Sequence, residues 1–255
     1  MPGAADNSCG VPAGFVDIHC HVLPGLDDGP RILEVSEQMC ALARASGTAA
    51  IVATPHANHR FAFDPVKTAE QLARLGEKVN GSLRLFTGCE VEMSMETMPA
   101  ALRNPAAYSL AGSRYLLLEL MPTGIPPNLE GVFSRLLDRG FVPVLAHPER
   151  NVQLQKRPDK VGAWVERGCL TQLTADSLTG RMGRRAQAAA VELIQHRIVH
   201  FVASDAHDPV HRPPRLVDGY RIVGEMFGSA LANLLFIENP RAVVQNQVIA
   251  GYPAF

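Results

Sequence analysis

The chain has 255 residues, 47% of them hydrophobic and 19% charged, with a formal net charge of −1 at pH 7. That length suits a single α/β barrel of about 250 residues, and the composition excludes a disordered chain. The near-neutral balance leaves no basic footprint for nucleic acid or an anionic membrane, and no apolar run approaches the roughly 18 residues of a membrane span.

Residues 1–14, MPGAADNSCGVPAG, lack the positive start and apolar stretch of a secretory signal. They read as a flexible tail ahead of one domain over 15–255. Cys9, Cys20, Cys40, Cys89 and Cys169 are odd in number and form no CxxC pair. This argues against a disulfide framework and for a reduced, cytoplasmic setting.

Phe15-Val16-Asp17-Ile18 opens the domain as a short strand and ends in His19 and His21. Alternate residues of a strand share a side, so these two imidazoles aim one way, with Asp27 and Asp28 just downstream. Arg31 to Ser46 has helical spacing and is stopped by Gly47. Ala49 to Ala53 is a buried-strand run ending in Thr54-Pro55-His56. A helix follows over Asp64 to Asn80, with Asp64-Pro65 as N-cap and first turn. Leu83 to Thr87 is a strand leading into Gly88-Cys89-Glu90.

Tyr115 to Leu118 is a further strand, ending at Glu119. Asn128 to Arg139 is an amphipathic helix closed by Gly140, and Phe141 to Ala146 runs into His147-Pro148-Glu149-Arg150. Pro158 to Arg167 is helical, Cys169 to Leu173 a strand, and Arg181 to Arg197 a longer helix. Val199 to Ala203 ends in Ser204-Asp205-Ala206-His207, and the chain from Pro213 is mostly helical. Roughly seven βα units imply a parallel sheet covered by helices. An open doubly wound sheet satisfies the same alternation. The closed barrel is favoured because polar residues end nearly every strand, and in a barrel those ends converge on one face.

Those ends carry His19, His21, His56, Glu90, Glu119, His147, Asp205 and His207. Any one such histidine alone reads as a hydrogen-bonded core residue. Together they crowd carboxylates that would repel or take up protons without a cation. Mixed imidazole and carboxylate donors suit Mn²⁺, Fe²⁺, Zn²⁺ or Mg²⁺, and there are enough of them for two or three divalent ions. His59, His196 and His200 lack the strand-end position. Arg150 and Arg212 follow the strand-end histidines and acids closely enough to offer planar donor forks to a phosphate, the alternative for each being a surface salt bridge.

The motifs DIHCHVLPGLDDGP, ATPH, GCEVEM, LLLEL, AHPERN and SDAH…RPP, in order over residues 15 to 245, resemble the PHP (polymerase and histidinol phosphatase) superfamily. Within it they are most similar to the bacterial capsular-polysaccharide tyrosine phosphatases. The resemblance implies a TIM-like, distorted seven-stranded (β/α)7 barrel. Its metal set by position is His19, His21, Asp28, His56, Glu90, Glu119, His147, Asp205 and His207, with manganese foremost. Of the pair Asp27-Asp28, the second fits the superfamily pattern better. Arg150 and Arg212 correspond to its phosphate-contacting arginines.

The implied activity is hydrolysis of phosphotyrosine in proteins through a hydroxide bridging two ions. The implied partner is the tyrosine-rich tail of a bacterial tyrosine kinase controlling capsule or exopolysaccharide synthesis; the oligomeric state is left open. None of the five cysteines is followed by arginine at the Cys-x5-Arg spacing of thiolate phosphatases. A small-molecule phosphatase of the histidinol-phosphate type is the alternative; a PHP-type nuclease and a non-catalytic metal-binding protein come behind it. Asp208–His211 and the proline-rich Pro122–Pro127 depart from the family pattern and bear on substrate preference more than on metal binding.

Overall fold

The structure, a computed structural model, describes residues 13–121 and 124–249. The expected tail falls on residues 1–14, of which 1–12 lie outside the described residues; so do Cys9 and Pro122. Nine strands are present among the described residues: β1 (Phe15–Cys20), β2 (Thr48–Ala53), β3 (His56–Ala57), β4 (Arg84–Thr87), β5 (Glu90–Glu92), β6 (Tyr115–Glu119), β7 (Val142–Ala146), β8 (Leu170–Thr174) and β9 (Phe201–Ala203). Every pairing is parallel, in the orders β1-β2-β4 and β3-β5-β6-β7-β8-β9.

The count corrects the seven strands read from the sequence, and two breaks explain it. Thr54-Pro55 separates β2 from β3, where proline has no N–H to give a ladder. Gly88-Cys89 separates β4 from β5. A Cβ on Gly88 would stand 2.8 Å from Val52 Cγ1, so only glycine lets the chain pass there. Pairing continues across the breaks, with Thr54 N–H donating to Cys20 O at 3.0 Å and Gly88 N–H to Ala53 O at 2.8 Å. Beyond β9, Asp205 N–H donates to His19 O and His21 N–H to Ala206 O, both at 2.8 Å, so the chain there runs alongside the end of β1.

Helices α1 (Leu33–Ala45), α2 (Pro65–Val79), α3 (Met98–Arg103), α4 (Leu129–Leu137), α5 (Pro158–Glu166), α6 (Ala175–Leu178), α7 (Arg184–Gln195), α8 (Val217–Phe227), α9 (Ser229–Asn233) and α10 (Asn239–Val244) complete the fold. The Asp64 cap holds as read: its Oδ1 accepts the N–H groups of Val66 and Lys67. The short α3 and α6 have no counterpart in the sequence reading. Each is under two turns, too brief for a helical period to register, and is held by burial of residues such as Met98, Ala101 and Leu178.

Strand alternation sorts the core. Ala50 and Val52, Tyr115 and Leu117, Val144 and Ala146, and Phe201 and Ala203 pack into one apolar cluster drawn from both sheets. The intervening Leu116, Leu118, Leu145 and Val202 pack with helix residues such as Phe133, Trp164 and Leu193. Counting on by two from the first set reaches Glu119 after Leu117 and Asp205 after Ala203. Glu90 pairs directly with Leu117. The apolar column and the polar strand ends are therefore one continuous face.

His200, just before β9, accepts the Thr171 N–H on Nδ1 at 3.1 Å, and its carbonyl accepts from Asn239 Nδ2 at 3.1 Å. Burial pushes this imidazole down to about 4 from the ordinary 6.5. The neutral form belongs to the folded state, so the unfolded chain binds the extra proton between those values. Stability contributed by His200 is complete above about pH 6.5 and is lost as pH falls toward about 4, by up to about 3 kcal/mol. Chemical denaturation across pH 4 to 7 should show a smaller acid loss in His200→Gln than in the native chain; parallel curves would contradict this.

Candidate metal centre

All nine side chains of the expected metal set stand at the C-terminal ends of the strands, within one another's reach. Four groups have donor atoms mutually within 4.8 Å: His21, Asp28, His56 and His207; His19, Glu90 and His147; His19, His21 and Asp205; and His56, Glu90 and Glu119. The groups share members, so the donors form one continuous cluster.

Glu90 is its hub. Its carboxylate is fully buried, with Oε1 2.9 Å from His147 Nε2 and 3.3 Å from His19 Nε2. Oε2 lies 2.9 Å from His56 Nδ1 and 3.3 Å from His21 Nε2. Asp205 Oδ1 is 3.3 Å from His19 Nε2, and Asp28 Oδ1 is 3.4 Å from His207 Nε2 and 3.5 Å from His56 Nε2. Glu119 lies 3.7 Å from both His56 and His147. His147 and Asp205 hold positive φ, 31° and 51°, where non-glycine residues are strained; such strain collects at functional sites.

The outer nitrogens of the first two histidines are held by Gln172, which the sequence reading did not single out, and by Asp27, the acid it ranked behind Asp28 as a ligand. Gln172 of β8 donates Nε2–H to the Leu173 carbonyl at 2.6 Å, which turns its Oε1 toward His19 Nδ1 at 2.9 Å. Nδ1 of His19 must then carry the proton, leaving the Nε2 lone pair for the cluster. Asp27 Oδ2 takes the same part for His21 Nδ1 at 2.7 Å and also accepts His56 N–H at 3.1 Å. The adjacent acids thus divide the work: Asp27 orients the His21 imidazole and ties down the His56 backbone, and Asp28 faces the rings of His56 and His207. Gly29 allows the turn, since a Cβ there would meet His21 O at 2.5 Å. Gln172 was legible only through its strand parity, which is that of Glu119 and Asp205.

The electrostatics are those of a site built for cations. Burial opposes charge on Glu90, yet His19 and His56 hold its pKa well below the usual range. His56 is resisted by burial but drawn by Glu90, and is lifted to about 10. Burial and the neighbouring Glu90 push Glu119 up to about 8, while burial and Arg150 push His147 down to about 4. Glu90 Oε2 and Asp205 Oδ1 remain buried with no hydrogen bond at all. Buried anionic oxygens ringed by imidazole nitrogens fit divalent ions.

Arg150 and Arg212 converge on one atom, Asp205 Oδ2, which Arg212 Nη2 approaches to 2.6 Å. Arg212 Nη2 also donates to Asp205 O at 2.9 Å, while its Nε is buried without a hydrogen-bond partner. Asp208 secures the divergent loop: its Oδ1 accepts Val210 and His211 N–H and its Oδ2 accepts Arg212 N–H. The departure at Asp208–His211 therefore still delivers Arg212 to the cluster.

The family model for capsular polysaccharide synthesis, CpsB/CapC, matches residues 15–245. The chain is 33% identical to the tyrosine-protein phosphatase YwqE of Bacillus subtilis, over 94% of this chain and 95% of that protein. It is 29% identical to the tyrosine-protein phosphatase CpsB of Streptococcus pneumoniae, over 92% of this chain and all of that one. A crystal structure from work on YwqE and CpsB, described as unique metal-dependent tyrosine phosphatases, superposes with a TM-score of 0.87 at 32% identity. That match covers 94% of this chain and 98% of the other.

Replacing Gln172 by Leu or Asp27 by Asn should weaken Mn²⁺ binding about 10- to 100-fold, measured by competition with a chromophoric chelator. Unchanged affinity in both variants would contradict the orienting role of these side chains.

Proposed function

This chain belongs to the CpsB/CapC family of capsular polysaccharide synthesis, and from that premise we propose that it is a metal-dependent protein-tyrosine phosphatase. Two or three divalent ions, manganese foremost, are held in this reading by His19, His21, Asp28, His56, Glu90, Glu119, His147, Asp205 and His207. Bound there, such ions supply Lewis acidity, lowering the pKa of water and neutralising phosphoryl oxygens.

The residues of the chain do the rest. Gln172 and Asp27 hold His19 and His21 in one tautomer and one orientation. Arg150 and Arg212 bind and orient the phosphoryl group, and this assignment carries the reading. Two guanidinium forks meeting at an acid of the cluster, one with a buried unpartnered N–H, are what a tetrahedral dianion satisfies. Thiolate chemistry has no support among the described residues: Cys20, Cys40, Cys89 and Cys169 are buried, and burial pushes the Cys40 thiol up to about 12.

A protein substrate suits the surface. Ile32, Val66, Met95, Met121, Val152 and Val210 are exposed on segments that follow strand C-termini, the side of the fold that carries the site. The intended substrate is the tyrosine-rich tail of a bacterial tyrosine kinase in the cytoplasm. The two sheets are read as one distorted seven-stranded barrel, with β2 and β3 as one strand and β4 and β5 as another. The hydrogen bonds joining Asp205 to His19 and His21 to Ala206 support closure.

Metal-loaded protein should hydrolyse a phosphotyrosyl peptide in preference to histidinol phosphate and leave single-stranded DNA intact. EDTA should abolish the activity, and replacing every cysteine should spare it. Arg150→Ala and Arg212→Ala should each lower kcat/KM by about 100-fold. Preferential turnover of histidinol phosphate, or activity that survives EDTA, would overturn the reading.

A further inference from the structure

A cavity of about 140 Å³ opens beside the metal cluster and shares a wall with it. His56 is that wall: its Nδ1 faces Glu90 and Glu119, while its ring lines the cavity with Leu26, Pro55, Ala62 and Phe63. We propose that this cavity is the aryl subsite, which takes the phenol ring of the phosphorylated tyrosine while the phosphoryl group lies at the cluster. The inference rests on the phosphatase reading and adds to it the residues that select an aromatic ester.

Volume, two aromatic faces and rigidity favour a ring. A volume of about 150 Å³ is large enough to hold a benzene ring. Leu26, Pro55 and Phe63 supply apolar surface, and His56 and Phe63 supply aromatic faces. The walls are already in place. Asn58 Oδ1 accepts the N–H groups of Arg60 at 2.9 Å and Phe61 at 3.0 Å, and Asn58 N–H donates to Phe61 O at 3.0 Å, pinning the turn that carries the wall. Phe61 stacks on His56 with 10° between the rings, and Phe63 rests against Tyr108 with centroids 4.9 Å apart. The rest of the lining is Gly25 and three polar side chains at the start of α2: Asp64 at its N-cap, and Lys67 and Thr68 in its first turn. A serine or threonine phosphate has no ring to place against these walls, so the cavity discriminates by what fills it. Apart from His56, none of these residues belongs to the metal set.

Phenylphosphonate and methylphosphonate carry the same anionic head and differ in the ring, so their affinities for metal-loaded protein, measured by calorimetry, isolate this subsite. Phenylphosphonate should bind about 10-fold more tightly to the native chain. Ala62→Trp at the exposed lip, which fills the cavity, or Phe63→Leu, which removes one of its two aromatic faces, should erase most of that preference and leave methylphosphonate binding in place. Equal affinities in the native chain, or a preference kept in full by both variants, would overturn the subsite. Turnover of a phosphotyrosyl peptide, assayed separately, keeps the two claims apart. A lost ring preference with turnover intact sinks the subsite alone, and absent turnover with the preference present sinks the phosphatase reading alone.

Discussion

An ionised carboxylate sealed from water needs positive charge or hydrogen-bond donors beside it, or it takes up a proton. Glu90 is fully buried at the centre of the strand ends, with four imidazoles within 3.3 Å of its two oxygens. Glu119, Asp205 and Asp28 crowd the same space. The positions of the histidines, the shifted protonation of Glu119 and His56, and the two arginines on Asp205 all answer that concentration of negative charge. Cations answer it with less loss, because each can satisfy several oxygens and imidazoles at once.

The fold supplies this concentration through strand direction and side-chain parity. Parallel pairing brings every strand C-terminus to one face, and a period of two keeps Leu117 and Glu119, or Ala203 and Asp205, in one column. The apolar part of each column packs; the last residue of each is free to ligate. Backbone strain at His147 and Asp205 is the local cost of turning those side chains inward, at the point where their strands end.

Much of this was legible in the sequence because the signals are local. Apolar runs ending in histidine or acid mark both strand and site, so the nine cluster residues could be named from strand ends and motif order. The breaks at Thr54-Pro55 and Gly88-Cys89 were harder, since whether Pro55 and Gly88 interrupt a ladder depends on neighbours distant in sequence. Gln172 and Asp17 were passed over for the same reason. A polar residue in a buried strand declares its role only through its partner, His19 Nδ1 for one and the Ser204 N–H for the other. The aryl cavity was the least legible feature, being assembled from a loop after β1, the turn after β3 and the start of α2.

Metal binding around this buried carboxylate is tested most directly by metal content, measured by mass spectrometry on protein purified without added metal. The overlapping donor groups predict about two or three ions per chain, with at least one lost in Glu90→Gln. A native chain holding no stoichiometric ion, or a Glu90→Gln protein that keeps its full complement, would contradict it.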